Sequence, residues 1–303
     1  MTRLITVTGA TGALGGRVAR LVAAEAADHD ATLRLVVRDA GRAPRLPGAA
    51  VVAQPGGYAD EAGLAEALTG THTLLLVSAA EAVDRTEQHL AAVRAAVAAG
   101  VERIVYTSFL GSEPGAIFTL TATHAATEEA LGDTGLRTTV LRNSMYADFV
   151  PFFATPTDDG GAVIAAPAGE GAASFVSRDD AAEVAAAVLL RDHPSTDGRV
   201  LDVTGPEALT LAEAAAVLTE VTGRPVRYEA QTVEQAWQTR RPSGAPDWEV
   251  EGWVTSYTAI AAGEMSVVSE VVRSFTGHPA LTVREHLQRH PEDWAPLRTG
   301  SPT

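Results

Sequence analysis

The 303-residue chain is 46% hydrophobic, with a formal charge of −15 and an isoelectric point near 4.9; it can bury a sizeable core but has the wrong sign for a nucleic-acid or anionic-membrane partner. It has no cysteine, which excludes disulfides, thiolate metal sites and cysteine nucleophiles, and all 23 of its basic residues are arginine. A Walker P-loop, a Schiff-base enzyme and a Tyr-x-x-x-Lys hydride-transfer site each need the missing lysine, so none of these chemistries operates here.

No apolar run approaches the roughly 20 residues of a membrane span, and Met1-Thr2-Arg3 leads straight into a strand, so a cytoplasmic protein is expected. The lack of lysine, with Asn143 as the single asparagine and abundant alanine, reflects a GC-rich coding sequence of the actinobacterial kind.

The first strand, Leu4 to Val7, turns through Thr8-Gly9-Ala10-Thr11-Gly12-Ala13-Leu14-Gly15 into a helix whose apolar positions are Leu14, Val18, Leu21 and Val22. Glycines 9, 12 and 15 let the backbone bend tightly, approach a pyrophosphate and seat the helix against the strand, while unpaired N–H groups at the helix start face the anion. Gly9, Thr11, Gly12, Ala13, Leu14 and Gly15 are therefore candidate dinucleotide contacts. Thr32 to Val37 is the second strand, ending in Arg38-Asp39. Arginine there pairs with the 2′-phosphate of NADP, whereas an acid would hold the 2′-hydroxyl of NAD. Residues 1–45 hold seven arginines against four acids, which suits a phosphate-rich ligand. NADP(H) through Arg38 is favoured, with NAD(H) through Asp39 the alternative.

Ala50 to Ala53 is a third strand, and Asp60 the N-cap of a helix with Leu64 and Leu68 inward. Thr73 to Val77 is the fourth, closing on Ser78. The helix from Asp84 to Ala99 presents Leu90, Val93 and Val97 and stops at Gly100. Arg103 to Thr107 is the fifth, ending in Ser108. Strands alternating with crossover-length helices specify a doubly wound parallel sheet with ligands at the carboxyl ends of its strands, which aims Ser78, Thr107 and Ser108 at the cofactor or, alternatively, at local backbone.

On the helix from about Leu120 to Leu131, His124 shares a stripe with Leu120, Thr127 and Leu131 and faces the sheet. It is either a proton donor oriented by Glu128 or a packed core histidine. Strand six, Arg137 to Leu141, opens into Arg142-Asn143-Ser144-Met145-Tyr146, where regularity weakens. Phe149, Phe152 and Phe153 are an apolar wall or lobe core. Ser177-Arg178-Asp179-Asp180 caps a helix to about Leu190, and Arg199 to Val203 is a strand returning to the main body. Leu211 to Val221, 232–240, 246–262, 265–275 and 281–290 are helical, with a strand at Val226 to Glu229. Arg240-Arg241 and the His286/His290 pair read as solvated surface, so no metal site is expected.

By this point the chain resembles the NmrA-like atypical short-chain dehydrogenases/reductases, most closely the type 2 NAD(P)H:quinone oxidoreductases. The resemblance rests on Thr8-Gly9-Ala10-Thr11-Gly12-x-Leu14-Gly15, Val37-Arg38, Tyr58-Ala59-Asp60, Leu74-Leu75-Leu76-x-Ser78, Tyr106-Thr107-Ser108, His124-x-x-Thr127-Glu128, Leu141-Arg142-Asn143-x-x-Tyr146 and Gly277-His278-Pro279. It implies a Rossmann-type α/β enzyme with a small C-terminal α+β substrate lobe, using NADPH to reduce quinones or similar electron-poor aromatics. Such relatives tend to carry aspartate before the tyrosine of the third turn, where this chain has Gly57.

Residues 1–142, with about 178–205, form the nucleotide-binding domain; 143–177 and 206–290 the substrate lobe; and 291–303 a tail. A quinone accepts hydride to give a phenol-like anion with a pKa of about 10, so a strong proton donor is dispensable, and Asn143, Tyr146 or His124 would hydrogen-bond the developing oxyanion. In an actinobacterium a polycyclic polyketide quinone from antibiotic biosynthesis fits as the small-molecule substrate. No nucleic-acid or membrane partner is expected, and the protein is read as a monomer or homodimer. The alternative function is a non-catalytic dinucleotide-binding redox sensor.

Overall fold

Apolar runs such as Leu74-Leu75-Leu76 offer no polar face to solvent, so the strands that carry them must be covered on both sides. In the computed structural model, which describes residues 2–295 and Leu297, all three leucines are fully buried. The strands are β1 (Arg3–Thr8), β2 (Ala31–Val37), β3 (Ala50–Ala53), β4 (Thr73–Leu76), β5 (Arg103–Phe109), β6 (Arg137–Asn143) and β10 (Arg199–Val203), reached after β7 (Ala154–Pro156), β8 (Ala162–Ala166) and β9 (Ala172–Ala173). They form one parallel sheet in the order β10-β6-β5-β4-β1-β2-β3. The chain reverses its winding between β1 and β4, and a doubly wound sheet opens its ligand crevice at such a switch point, beyond the carboxyl ends.

Helices α1 (Ala13–Glu25) and α5 (Arg178–Arg191) pack together over one face, where Val18, Val22, Val184 and Leu189 meet Ile5, Val7 and Leu35. Helices α2 (Glu61–Leu68), α3 (Arg85–Ala98) and α4 (Ala122–Gly132) cover the other, with Leu64, Leu68, Ala92, Ala96 and Leu131 against Leu74, Leu76, Ile104 and Tyr106. Asp60 caps α2 by accepting from Gly63 N–H at 3.0 Å, and Ser177 caps α5 by accepting from Asp179 N–H at 3.1 Å. Gly100 sits at φ +70°, ending α3.

After β6 the chain builds a second lobe. Its sheets are β12 (Val226–Ala230), β8 and β7 in that order, and the pair β11 (Leu209–Thr210) with β9. Helices α6 (Leu211–Thr222), α7 (Val233–Arg240), α8 (Asp247–Ala261) and α10 (Val283–Arg289) complete it, whereas α9 (Val271–Thr276), expected in the substrate lobe, returns to the main body, where it packs on α5 and β10 and buries Val272 in the sheet core. Its own core gathers Ile164, Phe175, Leu211, Leu218, Ile260 and Leu287.

Several expectations shift. Val97 is 45% exposed, and the inward stripe of α3 is Arg85, His89, Ala92 and Ala96, because alanines leave room for two polar side chains to turn in. The helix expected over 265–275 is confined to α9. His286 is 1% exposed, its Nδ1 3.0 Å from Ser177 Oγ and its Nε2 3.0 Å from Asp293, while His290 pairs with Asp179 at 2.7 Å; both are structural latches, not solvated surface. Arg240 donates to Ala165 C=O at 3.0 Å and stacks on Tyr257. A tail does not begin at residue 291 as expected, since Trp294 and Leu297 are buried in the lobe core; residues 298–303 lie outside the described residues.

Candidate active site

The glycine turn joins β1 to α1 with steric necessity at two positions. Gly9 has φ +65°, and a Cβ on it would lie 2.9 Å from Val77 Cβ. A Cβ on Gly15 would lie 2.4 Å from Gly9 C=O, so strand and helix meet at backbone contact. Gly12 is the N-cap and supplies no side-chain acceptor. The first N–H groups of α1, from Ala13, Leu14 and Gly15, have no intrahelical partner and point with the positive helix end into the crevice. Thr11, Gly12 and Ala13 are exposed at its mouth, while the Leu14 side chain is buried and leaves only its backbone to a ligand.

At the end of β2 the side chains of Arg38 and Asp39 divide their work. Asp39 accepts from Gly41 N–H at 2.8 Å, capping the turn that follows. Arg38 is exposed and makes no hydrogen bond or ion pair among the described residues, and its Cδ would lie 3.4 Å from a Cβ at Gly57. That is ordinary van der Waals contact, so the Arg38 stem packs over residue 57, and what calls for glycine there is its φ of +63°. The helix N-terminus, the side-chain-free cradle and a cation without a partner fit a phosphorylated dinucleotide.

The hydroxyls at the strand ends are differently employed. Thr107 Oγ1 accepts from Ser78 N–H at 2.9 Å, so it serves the turn after β4 and is itself buried. Ser108 donates to Glu128 at 2.5 Å and Glu128 takes a bidentate grip from Arg142, at 2.7 Å on the shorter arm. Ser108 is therefore turned away from a cofactor, and Glu128 does not orient His124. Of the three, Ser78 alone is partly open.

The three candidate catalytic residues separate into two groups. Asn143 and Tyr146 come together: Asn143 Nδ2 donates to Tyr146 OH at 3.2 Å, and Asn143 Oδ1 is buried with no hydrogen-bond partner among the described residues. The Arg178 guanidinium lies 4.2 Å above the Tyr146 ring and 4.9 Å from that of Phe149, and it pairs with Asp148. Burial pushes the Tyr146 phenol up and the Arg178 charge with the Asn143 bond opposes it, so it keeps its proton near neutral pH. Phe149 and Phe152, 43% and 65% exposed, continue this aromatic surface outward, while Phe153 packs on Phe175 and Tyr257 in the lobe core.

His124 belongs elsewhere. It is 5% exposed, with Nε2 3.1 Å from Arg85 Nη2 and Nδ1 2.8 Å from Tyr106 OH. Burial, then the charge of Arg85, then His89 pull its pKa well below the ordinary value. His89, fully buried, accepts from Ala79 N–H at 2.8 Å through Nε2, and burial with the Arg85 charge brings it down to about 3. The sequence singles out neither Arg85 nor His89, and it offers Tyr106 only as part of a motif and Arg178 only as part of a helix cap. The signal available was the i, i+4, i+7, i+11 stripe of α3, obscured by its polar end.

Fold and crevice define a Rossmann-type dinucleotide-binding protein with an aromatic-walled second lobe. The chain belongs to the NmrA-like family, whose profile matches residues 1–246. It is 32% identical to quinone oxidoreductase 2 of Escherichia coli over 94% of this chain and 97% of that one. The crystal structure of that protein complexed with NADPH superposes with a TM-score of 0.82, covering 94% and 99% of the two chains. A Streptomyces griseus reductase of (4-alkanoyl-5-oxo-2,5-dihydrofuran-3-yl)methyl phosphate is 33% identical over 97% of this chain and all of that one. The triphenylmethane reductase of Citrobacter, complexed with NADP(H), is 30% identical with a TM-score of 0.81 over 94% and 99%. No helix among the described residues is long and apolar enough to cross a membrane.

Proposed function

We propose that the protein is an NAD(P)H-dependent reductase, favouring NADPH, that passes hydride to a quinone or a related electron-poor aromatic. The observation that carries this reading is the Asn143–Tyr146 pair at the end of β6, beside the exposed rings of Phe149 and Phe152 and, like the uncapped start of α1, at the carboxyl edge of the parallel sheet. The relatives named above as a quinone reductase and a dye reductase, in NADPH and NADP(H) complexes, support it.

The bound nucleotide supplies the hydride; the chain's own residues do the rest. Backbone N–H groups of 13–15 would hold the pyrophosphate and Arg38 the 2′-phosphate. Phe149 and Phe152 offer an aromatic ring a face to stack on and keep water from it. Tyr146 accepts from Asn143, which leaves its own O–H to donate to the substrate oxygen on which charge develops. Arg178 above the ring opposes the rise that burial gives the Tyr146 phenol, which makes its O–H a stronger donor. Asn143 Oδ1 remains an acceptor for an N–H or O–H of whatever lies beside it.

A polycyclic polyketide quinone remains the substrate we favour, handled in the cytoplasm by a monomer or homodimer. The test is the absorbance at 340 nm of the purified protein with NADPH, then NADH, across quinones from benzoquinone to a polycyclic anthraquinone. Quinone-dependent loss with a preference for NADPH supports the reductase. Nucleotide binding without turnover would replace it by a dinucleotide sensor.

A further inference from the structure

The turn that closes β4 is held by side chains from four different elements. Val77 N–H donates to Thr8 Oγ1 at 3.1 Å, and Val77 C=O accepts from Tyr58 OH at 2.6 Å. Ser78 N–H donates to Thr107 Oγ1 at 2.9 Å. Both sides of Ala79 are taken by α3: its N–H donates to His89 Nε2 at 2.8 Å, and its C=O accepts from Arg85 Nε at 2.9 Å. The same turn lies against the glycine cradle, where Val77 Cβ would be 2.9 Å from a Cβ on Gly9.

The protonation of this framework follows from its donors. Arg85 and a backbone N–H can only donate, so Nε2 is bare on both His124 and His89 and each carries its proton on Nδ1. His124 Nδ1–H donates to Tyr106 OH, and His89 Nδ1–H donates to Thr127 Oγ1 at 3.0 Å, which in turn donates to Thr123 C=O at 2.6 Å. A guanidinium that is 4% exposed is costly to place, and Glu81, which grips it at 2.8 and 2.9 Å, is itself part of the loop after the turn. A core needing only packed volume has no use for such a cation; a turn whose peptide must face one way does.

We infer that His89 and Arg85 are positioning residues for the dinucleotide, setting through the Ala79 peptide the orientation of the Val77–Ala79 turn that floors its site. This rests on the reading of the crevice as a dinucleotide site. A neutral imidazole presents a fixed acceptor at Nε2 without adding charge beside Arg85, and the Arg85 fork grips Ala79 C=O and Glu81 at once.

The test compares His89→Leu, which keeps bulk without the acceptor, with His89→Gln, whose Oε1 replaces Nε2. In His89→Leu the unpaired Ala79 N–H should weaken NADPH binding by about tenfold in titration and raise KM for NADPH alike, with KM for quinone little changed. Amide hydrogen exchange over residues 77–80 of the nucleotide-free protein should speed up, and His89→Gln should restore both measures. Unchanged exchange in His89→Leu, or a binding loss that His89→Gln fails to recover while its melting temperature does recover, overturns the inference. Arg85→Met is the second arm if His89→Leu does not fold: faster exchange at 77–80 with weaker NADPH binding supports the inference, and wild-type values of both overturn it. A wild-type protein that binds no nucleotide overturns the dinucleotide reading and this inference with it, whereas wild-type turnover with His89→Leu unaffected overturns the inference alone.

Discussion

Arg85 Nη2 donates to His124 Nε2 over 3.1 Å, and on the other side of the imidazole Nδ1 meets Tyr106 OH at 2.8 Å. Because arginine cannot accept, His124 has no proton at the nitrogen that faces it, and because the site is buried beside a permanent cation it does not gain one near neutral pH. The histidine expected as a proton donor is a bridge between α3 and β5. His124→Gln, which can accept at the same place, should lower kcat by less than about tenfold, short of the 10²–10⁴ that general acids supply. The pH profile of kcat between 5.5 and 8 should keep its shape; a larger loss with an altered profile would return His124 to the chemistry.

The proposed mechanism gives Tyr146 the hydrogen bond to the substrate oxygen. Tyr146→Phe keeps the ring for Arg178 and removes the O–H, so kcat for quinone reduction should fall by about 10- to 100-fold while KM for NADPH stays within a few-fold. Steady-state kinetics with each substrate varied in turn check this. An equal effect on nucleotide binding would mean that Tyr146 acts on the cofactor instead.

Arg38 is the group proposed to read the 2′-phosphate, since Asp39 is occupied with Gly41. Arg38→Ala should weaken NADPH by about 10- to 100-fold, the worth of a charge-assisted phosphate contact, and leave NADH within twofold. Binding titrations with both nucleotides decide it, and equal losses for the two would assign Arg38 a structural task.

Asp180, 1% exposed, accepts from Leu281 N–H at 2.8 Å. Burial, only partly offset by the Leu281 N–H, pushes its pKa from 3.8 to about 6, with nearby Glu183 adding to the rise. A carboxyl whose folded pKa is raised stabilises the fold below its unfolded value and loses that contribution as the pH climbs through the folded one. Asp180→Asn keeps an acceptor for Leu281 and removes the ionisation, so at pH 7 it should be more stable than the parent by about 1–2 kcal/mol. The gain should vanish at pH 4, which thermal melts at the two values would show.

The sequence by itself determined the βαβ rhythm, the parallel sheet, the glycine turn and the place of Arg38 just past β2, because these depend on local signals: apolar runs of strand length, caps at Asp60 and Ser177, and a glycine spacing that only close backbone contact requires. That Asn143 and Tyr146 lie side by side was legible for the same reason, since they are three residues apart at one strand end. What only the tertiary structure decided is which polar groups meet across distant segments. Ser108 and Glu128, 20 residues apart, satisfy each other with Arg142, and Arg85, His89, Tyr106 and His124 converge from α3, β5 and α4. Their roles follow from who donates to whom and from burial, and neither is set by a residue's own neighbours in the chain: a histidine on an inward stripe is a proton donor or a fixed acceptor according to the side chain that another helix brings against it.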